Sequence, residues 1–334
     1  MSVRKYLKRV SYVLLVLAMF FSLTACSGRT ESMPPASEVP SAGADSTSAA
    51  NTVVNKNDPI RITTLSELEG TSVGQVMAQA LIANGYEIVD QTGSSASVDI
   101  MRQALLNGEV NMIWDYDGDA VSYFDTSWDP FYNFKEGWEL IRDYDLKNNN
   151  VVWLEPTPAN NNGLIACTSK FAEDNGLLDM DDFAEYVNNG GEVILVAPSW
   201  WINGEFKHPL MEEAYGYALR DDQFIVVEGL NERMVAEGVD GANFCLIFNN
   251  QGSLNELDMV AILDNKGSVL RYSYCPVISK ETLDKYPGIE EILNPIFSQM
   301  SDADVRWLNE QVQIAGRPGD EVAIEYLTEK GFME

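Results

Sequence analysis

The sequence predicts an α/β protein whose strands lie in parallel sheets, divided between two lobes. Two observations predict it. From residue 60 onward, short runs rich in β-branched residues alternate with segments of helical period, the signature of βαβ units. The chain is also 334 residues long, more than one hydrophobic core usually organises.

The elements follow in order. Ile60-Arg-Ile-Thr-Thr64 reads as the first strand. Val73, Val76, Met77, Ala80 and Leu81 recur at helical spacing, and Gly85 ends that helix. Tyr86 to Val89 is a second strand, Val98, Met101 and Leu105 mark a helix closing at Asn107-Gly108, and Val110 to Trp114 is a third strand. The alternation then repeats. Val151 to Leu154 and Gly163 to Cys167 are strands, Asp181 to Val187 is a helix, and Val193 to Ala197 is a buried strand. Phe224 to Val227, Phe244 to Phe248 and Met259 to Leu263 are further strands, with helical pieces at Met211 to Tyr217 and Asn231 to Glu237. Towards the C-terminus, Ile289, Ile292 and Leu293 share a helical face that Pro295 is expected to kink or break. Ser301 and Asp304 form a capping-box start for a helix carrying Val305, Leu308 and Val312. Pro318 and Gly331 bracket one more.

Ahead of this body lie two segments of different character. Arg4, Lys5, Lys8 and Arg9 form a basic start, and Tyr12 to Leu23 form an apolar run too short for a comfortable membrane span. Leu23-Thr24-Ala25-Cys26 then resembles the lipobox of bacterial lipoproteins. Residues 1–26 are accordingly a signal peptide ending at Cys26, the lipidation site, which places the protein on the outer face of the cytoplasmic membrane. Residues 27–58, rich in Ser, Ala, Pro, Thr and Gly, read as a flexible tether.

Composition excludes several functions. With 51 acidic against 22 basic residues the net charge is −29, which repels a phosphate backbone, so no nucleic-acid partner is expected. The single histidine, His208, excludes a His-rich zinc site and reads as a loop residue beside Pro209. No metal and no cofactor are expected. Cys167, Cys245 and Cys275 lack C-x-x-C spacing and sit among apolar residues, which favours buried thiols, with one disulfide left open.

The segment Ile113-Trp-Asp-Tyr-Asp-Gly-Asp119 holds three carboxylates and two aromatic rings. It fails the calcium-loop pattern, because Gly118 is fourth from Asp115 and the twelfth position is Thr126. A pair of carboxylates at a strand end could serve a lipid-tethered hydrolase, and Asp117 alone suits a turn leading into a helix. A third reading suits the rings. Trp114 and Tyr116 flanking Asp115 offer a cation electron-rich faces and a negative charge, at the carboxyl end of a strand where open sheets bind ligands.

The stretch Leu106 to Gly118 resembles a segment of the substrate-binding proteins of glycine betaine, choline and carnitine ABC transporters. Similar stretches recur at Trp153 to Asn161, Glu213 to Gly216, Ala261 to Gly267, Tyr272 to Pro287 and Tyr326 to Phe332, in family order over the chain from about residue 59. The resemblance implies a type II periplasmic-binding-protein fold, two α/β lobes around a hinged cleft. Lobe one is then 59–156 plus 275–334 and lobe two 157–274, with crossings near Glu155 to Ala159 and Arg271 to Pro276. It implies a monomer that binds a quaternary ammonium solute without chemistry and delivers it to permease and ATPase subunits, the lipid being its one membrane contact. A carrier of a different cationic solute and a surface adhesion lipoprotein are the rival readings.

Residue by residue, the family's cage falls on Asp115, Tyr116, Asn160, Asn161 and Tyr272. Ile113 and Gly163 stand where the family has tyrosines, and Leu65 where it has a lysine. Trp114, Trp200 and Trp201 are candidates for the missing ring faces. Without that lysine to meet a carboxylate, choline-like cations are expected to bind at least as well as glycine betaine.

Overall fold

The computed structural model describes residues 58–66, 68–204 and 207–333. The expected signal peptide, the acylated Cys26 and the tether up to residue 57 lie outside the described residues. Two five-stranded sheets carry the fold. The first contains β1 (Ile60–Leu65), β2 (Ile88–Ser95), β3 (Met112–Tyr116) and β4 (Val151–Trp153). The second contains β5 (Gly163–Thr168), β6 (Leu195–Pro198), β7 (Phe224–Val227), β8 (Phe244–Phe248) and β9 (Met259–Ala261). The chain then returns, and β10 (Tyr274–Ser279) enters the first sheet between β3 and β4.

The sheets have matching orders, β2-β1-β3-β10-β4 and β7-β6-β8-β5-β9. Both are mixed rather than parallel throughout. Strands β1, β2 and β3 run parallel, while β10 is antiparallel to β3 and β4. In the second sheet β6, β7 and β8 run parallel and β5 is antiparallel to its neighbours. The first sheet packs into one hydrophobic core around Ile62, Met77 and Tyr274, and the second into two, one around Ile165, Phe183 and Phe244 and one around Ala166, Val196 and Ile247.

Several expected elements move, for local reasons. β2 begins two residues after Tyr86 and runs to Ser95, because it is an edge strand whose Asp-Gln-Thr-Gly-Ser stretch shows no apolar alternation. β3 runs two residues further than expected, and residues Asp117–Ser122 form a 3₁₀ turn. β10 was expected only as a crossing. Its Pro276 lacks the N–H a central strand needs, yet its carbonyl accepts from the Leu154 N–H at 2.9 Å. The helix Gly288–Phe297 continues through Pro295, whose place in the last turn spares all but one hydrogen bond. The helix Glu136–Asn149 has no counterpart in the sequence reading. Among the described residues, Cys167, Cys245 and Cys275 are buried free thiols.

His208 is a second correction of substance. It opens the helix His208–Tyr215 and is only 2% exposed, its ring 4.9 Å from that of Trp201 and 5.5 Å from that of Phe224. Aromatic walls, not a loop, surround it. Burial lowers its pKa to about 4.

The chain passes between the sheets through residues 154–162 and returns through 262–273. These passages are bonded to each other and to β10. Thr157 N–H donates to the Tyr274 carbonyl at 2.9 Å and Thr157 Oγ1 accepts from the Tyr274 N–H at 3.1 Å. A further contact joins the sheets' domains at the C-terminus, where Asn309 Nδ2 donates to the Asn250 carbonyl at 2.7 Å. Gly252 permits that approach, since a Cβ there would lie 2.7 Å from the Glu310 backbone.

Behind β3 the first lobe holds a buried polar cluster. Arg102 donates two hydrogen bonds to Asp145, at 3.0 and 2.7 Å, and both residues are buried. Asp145 also accepts from Trp153 Nε1 and Asn149 Nδ2, each at 2.6 Å. The guanidinium lies 3.9 Å from the ring centre of Tyr123, whose hydroxyl donates to Asp115 at 2.7 Å.

Candidate functional site

A cavity of about 630 Å³ opens where the carboxyl ends of β1 and β3 face residues of the second sheet. Leu65, Glu69, Tyr116 and Asp119 line it from the first lobe. Gly163, Trp200, Trp201, Lys207 and Phe248 line it from the second, and Asn161 and Tyr272 from the two passages between them.

Five of the eight expected ligand residues therefore converge: Tyr116, Asn161, Trp200, Trp201 and Tyr272. The first is the last residue of β3, buried and braced edge-on by Tyr272 with ring centres 6.0 Å apart. Its hydroxyl accepts from Asn161 Nδ2 at 2.8 Å. Burial, then the neighbouring Tyr274, raises the Tyr116 pKa well above the usual phenol value, so the ring stays neutral. Two consecutive tryptophans sit on the short helix Ser199–Ile202, Trp200 half exposed and Trp201 buried. Gly163, standing where the family has a tyrosine, makes room for the second of them. A Cβ there would lie 3.3 Å from Trp201 Nε1.

The other three do not line the cavity. Strand geometry explains Asp115: neighbours on a strand point to opposite faces, so a carboxylate between Trp114 and Tyr116 cannot share their side. Asp115 is fully buried on the Arg102–Tyr123 side, accepting from the Tyr123 hydroxyl and from the Tyr116 N–H at 2.9 Å. Burial, then Asp119, pushes its pKa well up. Trp114 shares the Tyr116 face but lies one step deeper, covered by Tyr116 and Tyr274 at 5.0 and 5.2 Å. Asn160 is a positioning residue, its Oδ1 accepting from the Tyr272 N–H at 2.8 Å.

The three carboxylates of residues 113–119 thus have three addresses. Asp115 faces the buried cluster. Asp117 faces the return passage, its Oδ1 accepting from the Ser273 N–H at 2.7 Å; burial, opposed by that bond and by Arg271, raises its pKa to about 7. Only Asp119 faces the cavity.

The sequence reading missed Asp119, Glu69 and Lys207 as cavity residues. Asp119 was within the motif, one 3₁₀ turn after Tyr116. No pattern marked Lys207. Its ammonium lies 5.4 Å from the ring centre of Tyr272, and both residues line the cavity. The cavity wall therefore carries a lysine, Lys207, although Leu65 stands where the resemblance led one to expect it.

Known proteins share the fold and match over much of the sequence. The OpuAC family, the substrate-binding domain of ABC-type glycine betaine transport systems, matches residues 58–329. Among curated proteins, the glycine betaine-binding protein YehZ of Escherichia coli is 27% identical over 282 residues, 82% of this chain and 91% of that protein. A glycine-betaine-binding protein of Pseudomonas aeruginosa is 24% identical over 275 residues, 78% of this chain and 84% of that one. The solved structure of apo YehZ from E. coli superposes with a TM-score of 0.77 at 27% identity, over 83% of this chain and all of that one. The chain belongs to the family of substrate-binding domains of ABC-type glycine betaine transport systems, as a solute-binding protein and not an enzyme.

Proposed function

We propose that this protein captures a quaternary ammonium solute of the glycine betaine type in the cleft and delivers it to its permease. The observation that carries the reading is the convergence of Tyr116, Tyr272, Trp200 and Trp201 on one cavity that also contains Asp119 and Glu69. A methylated ammonium cannot donate hydrogen bonds, so ring faces and carboxylates are the partners its charge can find. The names of the two curated relatives support the same solute class. Binding between residues of both lobes would draw them together about the two passages.

Titration calorimetry with glycine betaine tests this. Saturable binding is expected, and Tyr272→Leu should weaken it by about tenfold or more, since a desolvated cation–ring contact contributes about 2 kcal/mol. Unchanged affinity in that variant would place the cation elsewhere. No binding of any betaine or choline would overturn the solute class.

The lipobox supports attachment of the folded body to the membrane through an acylated Cys26. No helix among the described residues is long and apolar enough to cross a membrane. Cys26→Ser should release the protein from salt-washed membranes with its affinity for solute intact. Retention of the variant in the membrane fraction would argue against the lipid anchor.

A further inference from the structure

Lys207 occupies a position that the proposed function gives to the solute. Its ammonium lies 5.4 Å from the Tyr272 ring centre, within the range of a cation–ring contact, and both side chains line the cavity beside Asp119. The placement is built in. His208, the next residue, is buried against Trp201 and fixes the backbone at the cavity wall. Gly204 leaves room for the stem, because a Cβ there would lie 2.9 Å from Lys207 Cγ.

We propose that Lys207 is a resident substitute for the solute's cation on Tyr272, and that by remaining in the cleft it selects zwitterions over simple cations. The proposal rests on the reading that the cleft takes a quaternary ammonium solute. One ring face holds one cation. A solute that takes the face of Tyr272 displaces the ammonium, which swings on its flexible stem but stays tethered in the cavity. Burial lowers its pKa and Asp119 opposes that, so the carboxylate helps to keep it charged.

The consequence differs between solutes. Choline brings a second positive charge into a partly desolvated cleft and offers the displaced ammonium only a neutral hydroxyl. Glycine betaine brings a carboxylate that the ammonium can meet once the exchange has occurred. Like charges are penalised and opposite charges favoured most where water is scarce. Lys207 is thus a specificity-determining residue, and its preference is opposite to the one implied by Leu65 alone.

Titration calorimetry of the wild type, Lys207→Met and Lys207→Arg with glycine betaine and with choline tests the proposal. Methionine keeps the length of the side chain and removes its charge. Wild type is expected to bind glycine betaine more tightly than choline. In Lys207→Met choline should bind roughly tenfold more tightly and glycine betaine should lose affinity, while Lys207→Arg keeps the wild-type order. Thermal melting of the unliganded variants establishes that each is folded. Unchanged affinities in Lys207→Met, or an equal change for both solutes, would overturn the proposal and leave the quaternary ammonium reading standing. Failure of wild type and variants to bind either solute would overturn that reading, and the proposal with it.

Discussion

Arg102→Met should cost the protein about 3–5 kcal/mol of stability, because it leaves a buried carboxylate without its counter-ion. Asp145 is 0% exposed and holds the guanidinium through two hydrogen bonds. After the substitution only the neutral donors of Trp153 and Asn149 remain to it. The variant also removes the cation lying on the Tyr123 ring, and with it the support of the hydroxyl that binds Asp115. A second variant separates the lost ion pair from lost packing. Arg102→Met combined with Asp145→Asn removes the stranded charge and keeps an acceptor for the Trp153 indole, so it should regain more than half of the loss. Urea unfolding at neutral pH measures both. A single-variant loss below about 1 kcal/mol would mean that the pair contributes no more than an exposed one.

A second large effect is acid instability centred on His208. Burial places its pKa at about 4 in the folded protein, against an ordinary value of about 6.5 in the unfolded chain. Above pH 6.5 neither state binds the proton and the residue is neutral towards stability. As pH falls from 6.5 towards 4 the unfolded chain takes up a proton that the native state refuses. Stability therefore drops across that window, by about 3 kcal/mol in full. His208→Phe keeps a ring against Trp201, Tyr217 and Phe224 and has no proton to gain. Its loss of stability between pH 7 and pH 4.5 should be about 2–3 kcal/mol smaller than that of wild type. Equal losses in the two proteins would show that His208 is protonated in the folded state.

Strands that are apolar on both faces were legible: β7 and β8 stand where Phe224 to Val227 and Phe244 to Phe248 were read. For polar edge strand β2 the presence was legible and the extent was not, because its side chains beyond Val89 are largely exposed and impose no alternation. β10 was hidden by Pro276, whose missing N–H argues against a central strand until the neighbouring pairing is known. At the site, residue types were legible and directions were not. Tyr116 was picked out by its ring beside an acid, Tyr272 by the family resemblance alone, and Trp200 and Trp201 as candidates for ring faces the resemblance left missing; all four line the cavity. Asp115 was misplaced by adjacency, although the period of two along β3 already separates it from Trp114 and Tyr116. Lys207 carries no local pattern. Its neighbour His208 packs against Trp201, and its ammonium reaches Tyr272, which is distant in sequence.

The position of β10 also bears on how the chain acquires its shape. The second sheet is made from one uninterrupted stretch, β5 to β9, so its core can close as soon as that stretch is free. The first sheet cannot, because β4 pairs with β10, more than a hundred residues later in the chain. Contacts so distant in sequence form slowly, since the intervening loop must be ordered before they return any stability. For a chain emerging amino end first, the half that begins the sequence is then the half that finishes last. The cleft, which needs Tyr116 from one half and Tyr272 at the edge of β10, exists only after both.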